Sequence, residues 1–231
     1  MADKALNRET AKNYASYYAA KGGTRNDLLE NPGVLFQTLA AEAAVLRALA
    51  RIEFDPAAAR ILDIGGSSGG SLMPFLSLRC PSSHLTCVDI SEEAIERGRA
   101  RFPGVDFVHA DARRLPFDGP FDLVYSSSIF YQNTEEEAAM AIGREMRRVV
   151  KPGGFIVTRD WCRSRPGDRT TKAVTTERIE RLIGLPVAFS EPGALVPPVG
   201  RLLSAWAPSI YFSVRALLPF LTGMRVYVMK A

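Results

Sequence analysis

The chain has 231 residues, 47% apolar and 23% charged, which suits one buried core with small appendages and speaks against intrinsic disorder. Its formal charge of +4 is modest, and no dense Lys/Arg cluster interleaved with aromatics supports a nucleic-acid partner. Cys80, Cys87 and Cys162 are scattered, with neither zinc-site nor disulfide spacing, and read as reduced thiols.

The N-terminal MADKALNRET lacks the apolar core of a signal peptide. No uninterrupted apolar run reaches the roughly 18 residues of a membrane span, so a cytoplasmic protein is expected. Residues 1–55 are expected to form a helical cover, with Tyr14, Tyr17, Tyr18, Arg25 and Asn26 as cover or acceptor contacts. Val34 to Ile52 reads as its main helix because Leu35, Leu39, Leu46 and Leu49 recur at helical spacing without a breaker. Residues 56–231 are expected to hold the ligand-binding domain. There the short apolar runs ARILDI, HLTCVDI, VDFVHA, FDLVYSS and GGFIVTRDW alternate with helical segments such as SEEAIERGRARF and EEEAAMAIGREMRRVV. Such alternation predicts an α/β fold of three layers, a Rossmann-like doubly wound and mostly parallel sheet with helices on both faces. Ser91 before two glutamates marks a helix start, and KPGG at Lys151 to Gly154 marks a tight turn.

The composition shifts after Glu191, beyond which no Asp or Glu occurs while Arg201, Arg215, Arg225 and Lys230 do. Residues 191–221 are rich in Pro, aromatics and aliphatics and precede a closing strand, MRVYVMKA; they are expected to form an apolar substrate lid. Pro208 and Pro219 break the segment, which favours a pocket lining over one amphipathic helix on a membrane.

Parallel sheets bind ligands beyond the carboxyl ends of their strands. Three acids lie there: Asp63 ahead of the loop Gly65, Gly66, Ser67 and Gly69; Asp89 with Ile90; and Asp111 with Ala112. Asp89 follows Gly70 by 19 residues and is placed to accept from a ribose diol. Asp111 suits the amino group of an adenine. Ser67 stands where a dinucleotide loop needs its middle glycine for close approach to a pyrophosphate, so the pattern favours adenosine without phosphates.

With these motifs in order, the chain resembles the class I S-adenosylmethionine-dependent methyltransferases over roughly residues 60 to 160. FDLVYSSS at Phe121 to Ser128 is similar to that family's fourth-strand motif, and RRVVKPGG at Arg147 to Gly154 to its turn before the fifth strand. The resemblance implies seven strands in the order 3-2-1-4-5-7-6 with an antiparallel last strand, S-adenosyl-L-methionine as cofactor, and in-line methyl transfer. Asp63 is read as a structural acid of the loop or a contact to the ligand's amino group, and Ser126 as a contact to its methionine part. Tyr131 or Gln132 would touch the acceptor, and Asp160 would act as base or orient the acceptor. His109 reads as a packed strand residue, and the residues do not assemble a metal site.

The acceptor is expected to be a small molecule methylated on a hydroxyl oxygen. Similarity of RNDLLENPG and ALVPPVGRLLSAWAPS to methyltransferases of glycan clusters points to a saccharide. Two alternatives stand beside this: an NAD-linked oxidoreductase, disfavoured by Ser67, and a non-catalytic S-adenosylmethionine-binding protein.

Overall fold

A computed structural model describes residues 28, 31–164 and 167–231. Tyr14, Tyr17, Tyr18, Arg25 and Asn26 lie outside the described residues. The first helix, α1 (Pro32–Arg51), opens with a proline in its first turn, where the lost N–H has no intrahelical partner anyway. Helical spacing is present, but the leucines do not form the buried stripe: Leu39 is exposed and Leu35 and Leu46 are half-buried. The stripe is instead Val34, Gln37, Ala40, Ala41, Ala44, Val45, Ala48 and Leu49, small residues that bring the helix close to the sheet.

Seven strands form one sheet: β1 (Ile61–Ile64), β2 (Leu85–Asp89), β3 (Asp106–His109), β4 (Phe121–Ser127), β5 (Val150–Trp161), β6 (Phe189–Pro192) and β7 (Met224–Lys230). Their order is β3-β2-β1-β4-β5-β7-β6. The first five pair in parallel, and β7 runs antiparallel to β5 and β6, as the sequence resemblance implied. The central strand β1 is buried at every position, as expected of a parallel strand covered on both faces. Within β5, Lys151 to Gly154 form the expected turn as an interruption of pairing: Val150 faces Phe121, and pairing resumes at Phe155 with Leu123. Gly153 supplies the positive φ, +75°, that this turn requires.

One face of the sheet is covered by α1, α2 (Met73–Ser77) and α3 (Glu92–Arg101), through Ala44, Val45, Leu49, Phe75 and Ile95. The opposite face carries α4 (Ile129–Gln132), α5 (Glu136–Val149) and α6 (Thr176–Ile183), through Phe130, Ile142, Met146, Ile179 and Leu182. Ser91 caps α3 by accepting from the Ala94 N–H.

Between β6 and β7, α7 (Pro197–Trp206) and α8 (Tyr211–Leu217) pack beside α1. Gln37 Nε2 donates to the Leu195 carbonyl at 3.1 Å, and Ser204 Oγ donates to the Pro32 carbonyl at 2.6 Å. Gly200 is required at this crossing because a Cβ there would collide with the Gln37 amide. The outer side leaves Leu202, Trp206, Leu217 and Phe220 exposed.

Candidate active site

The register brings the strand ends level: Ile64 lies beside Val88 on one flank and Ser126 on the other, and Asp89 beside His109. The loops that leave the strands therefore converge on one edge. After β1 the chain turns over the end of β2, with the N–H groups of Gly65 and Gly66 both donating to the Val88 carbonyl. Gly65 has φ +72°, and Gly69 has φ +86°, where an added Cβ would lie 2.9 Å from Phe102 and Phe107. At Gly66 a Cβ would strike the Asp63 carboxylate and the Cys87 sulfur. Ser67 takes φ +52°, a left-handed conformation that costs an L-residue about 1–2 kcal/mol. Its backbone conformation thus accounts for the advantage of glycine there, independently of pyrophosphate approach.

Asp63 is fully buried beneath this loop and accepts from the Ser71 hydroxyl through Oδ2. Its Oδ1 has no partner among the described residues. Burial pushes its pKa up to about 7, opposed chiefly by the Ser71 bond. The sequence reading missed Ser71, whose signal is a hydroxyl directly after the last glycine of the loop.

Asp89 ends β2 with its carboxylate fixed by two backbone donors, Ser67 N–H to Oδ2 and Ser91 N–H to Oδ1, each at 2.9 Å. Burial raises its pKa against those donors. One acid is thereby tied to the glycine loop and to the start of α3, with lone pairs left on both oxygens for a diol. Ile90 follows, half-buried, and its carbonyl meets the His109 ring at 3.0 Å. His109 itself is exposed, not packed as the sequence suggested, because it ends an outer strand.

Asp111 and Ala112 are half-buried on the next loop. Both Asp111 oxygens take the Arg113 guanidinium, Oδ2 at 2.6 Å from Nη2, and Oδ1 also accepts the Arg113 N–H. An amino group arriving at Asp111 has to share the carboxylate with that arginine. Arg113 is a further residue the sequence reading missed.

Beyond β4, Ser128 adopts φ +64°, and the short helix α4 carries Tyr131 and Gln132 at the same edge, both half-buried. The Tyr131 N–H donates to Asp160 Oδ1 at 2.9 Å. Asp160 is fully buried, with its pKa pushed by burial to about 7, and its Oδ2 has no partner among the described residues. It braces α4 from beneath and has no surface toward a solvent-borne acceptor. Ser126 is likewise enclosed, with an unpartnered hydroxyl among the described residues.

The chief support of α4 is Arg178, only 5% exposed. Its guanidinium donates to the carbonyls of Phe130, Asn133 and Lys172 and pairs with Glu136 at 2.9 Å. Partial burial of Glu136 opposes its ionisation, but bonds from Lys172, Arg181 and Arg178 hold its pKa at about 2. Nothing in TERIERLI distinguishes the buried Arg178 from the exposed Arg181 one turn on.

The residues fit the expected cofactor at the loop. Gly65 and Gly69 give positive φ, Gly66 leaves no room for a side chain, and the Asp89 carboxylate is held at the strand end with lone pairs that a diol could use.

Residues 61–154 match the family described as "Methyltransferase domain". The chain is 34% identical over 154 residues to the ubiquinone/menaquinone biosynthesis C-methyltransferase UbiE of Pseudomonas fluorescens, covering 63% of this chain and 55% of the relative. It is 39% identical over 118 residues to a demethylmenaquinone methyltransferase of Clavibacter sepedonicus, covering 49% and 44%. The chain thus spans about half the length of the curated relatives it matches. Among solved structures, magnesium protoporphyrin IX methyltransferase from Synechocystis superposes with TM-score 0.62 at 11% identity, over 95% of this chain and 94% of that one. This likeness establishes the fold.

Proposed function

We propose that this chain, a member of the class I S-adenosylmethionine-dependent methyltransferases through residues 61–154, transfers a methyl group to a small-molecule acceptor. The observation that carries the reading is Asp89, held by the Ser67 and Ser91 N–H groups at 2.9 Å beside a loop that leaves no room for a side chain at Gly66 or Gly69. When bound, S-adenosylmethionine supplies a methyl group on a positively charged sulfur, a leaving group that needs no further activation. The protein's task is then alignment and exclusion of water. In this reading Asp63, Gly65, Gly66, Ser67 and Gly69 shape the amino-acid end, Asp89 and Ile90 hold the ribose, and Asp111 and Ala112 border the adenine. Ser126 supports the loop from β4, Tyr131 faces the acceptor, and Asp160 positions Tyr131.

For the acceptor atom, the sequence points to a saccharide hydroxyl. A buried Asp160 is poorly placed to deprotonate a hydroxyl. The curated relatives are named as C-methyltransferases of quinone biosynthesis. We therefore favour carbon, in an electron-rich small molecule, over a saccharide oxygen. We also place the reaction in the cytoplasm. A transfer assay with labelled methyl donor, run against quinol precursors, phenols and saccharides, tests this. Labelled product from the carbon acceptors alone is expected. Label on saccharide oxygen would reverse the acceptor assignment, and no transfer to any acceptor would favour a binding protein without activity.

A further inference from the structure

A second site lies at the far end of the same sheet edge. Where β5 passes into Cys162 and Arg163 and β7 begins, the start of α6 and the turn Pro219–Leu221 flank an open cleft of about 280 Å³. Arg163 and Arg225 both line it, and neither makes an ion pair among the described residues. Arg163 is aimed by two carbonyls, Nε to Thr222 at 3.1 Å and Nη2 to Phe220 at 2.6 Å. Arg225 is steadied by the Ser190 hydroxyl at 3.2 Å. Thr222, 3% exposed, also lines the cleft, and its hydroxyl has no partner among the described residues. The eight-residue helix α6 starts at the same wall, with Thr175 as its cap. Glu177 also lines the cleft, so the lining carries two guanidinium charges against one carboxylate.

We propose that this cleft is an oxyanion subsite that takes the phosphate group of a phosphorylated small molecule. Two guanidinium groups against one carboxylate leave the lining net positive, and guanidinium forks match the oxygens of a phosphate. The segment leading into α6 joins this cleft to the acceptor side, with Lys172 N–H on the Tyr131 carbonyl and Val174 N–H on that of Trp161, both at 2.9 Å. On the methyl-transfer reading, on which this last step alone rests, the subsite anchors the phosphorylated end of the acceptor.

Calorimetric titration of the full chain with inorganic phosphate at fixed ionic strength, with chloride as control, tests the subsite. Saturable binding is expected, weakened about tenfold in Arg225→Gln, with S-adenosylhomocysteine affinity unchanged in that variant. Arg163→Gln provides a second arginine variant should Arg225→Gln fold poorly. No saturable binding to the wild type, or equal binding in the folded variants, overturns the proposal. Arginine-dependent displacement by glycerol 3-phosphate supports a soluble phosphomonoester, and arginine-dependent retention on phosphatidic acid vesicles supports a lipid headgroup. Loss of S-adenosylhomocysteine binding by the wild type would sink the methyl-transfer reading while leaving the phosphate result to stand.

Discussion

Ser67 carries the strain of the glycine loop. Its φ of +52° is a conformation in which glycine is at ease and serine is not, while its N–H is one of two donors that fix Asp89. Ser67→Gly should therefore raise stability by up to about 1 kcal/mol in urea unfolding, since relief of strain outweighs the added freedom of the unfolded chain. A loss of stability would mean that the serine side chain contributes a bond that outweighs the strain. Asp89→Ala should weaken S-adenosylmethionine binding by about 1–3 kcal/mol, roughly five- to 150-fold, as the bonds to the diol are lost. Unchanged affinity would remove Asp89 from the site. Sequence spacing made Asp89 and the glycines legible. The state of Asp111, Asp160 and Ser126 was not, because enclosure and side-chain partners depend on residues far along the chain.

At the scale of elements, α4 has one turn and cannot hold its shape alone; tertiary contacts hold it. Asp160 takes its Tyr131 N–H from below, and Arg178 gathers the carbonyls of Phe130 within it and Asn133 at its end. Arg178→Ala should destabilise the fold by about 3–5 kcal/mol, because it leaves several carbonyls and Glu136 without their partner. If Arg178→Ala unfolds at the same denaturant concentration as the wild type, this bracing has been misjudged. Periodicity located α1 to within two residues, yet the alanine-rich stripe was hidden because leucines dominate a hydrophobic count. The strand β6 escaped notice for a related reason. Its four half-buried residues, FSEP, end in proline and lack alternation, and only pairing with β7 makes them a strand.

Across the whole molecule, the glycine loop and α4 are built over two enclosed carboxyls, Asp63 and Asp160, each with a pKa near 7 where the unfolded chain has about 3.8. The folded state thus holds protons that the unfolded chain releases, so these groups cost no stability below about pH 4 and subtract progressively as pH rises to 7. Asp160→Asn should flatten the decline between those limits, gaining on the wild type by a few kcal/mol at neutral pH relative to pH 4. Parallel unfolding curves for the two proteins would contradict the burial argument. Glu136 acts oppositely and elsewhere: its depressed pKa stabilises the fold above about 4.5, an effect lost as pH falls toward 2. The sheet order was legible because five motifs lie in sequence along one half of the chain. The layer of α1, α7 and α8 was not, since its contacts join residues more than 150 positions apart.

In the proposed reading, the loop of Gly65 to Gly69 with Asp89 holds an adenosyl amino acid and excludes a dinucleotide. Calorimetric titration of the full chain with S-adenosylhomocysteine and, separately, with NAD tests it most directly. Saturable one-to-one binding of S-adenosylhomocysteine with no heat from NAD is predicted; binding of NAD, or no binding of S-adenosylhomocysteine, would contradict it.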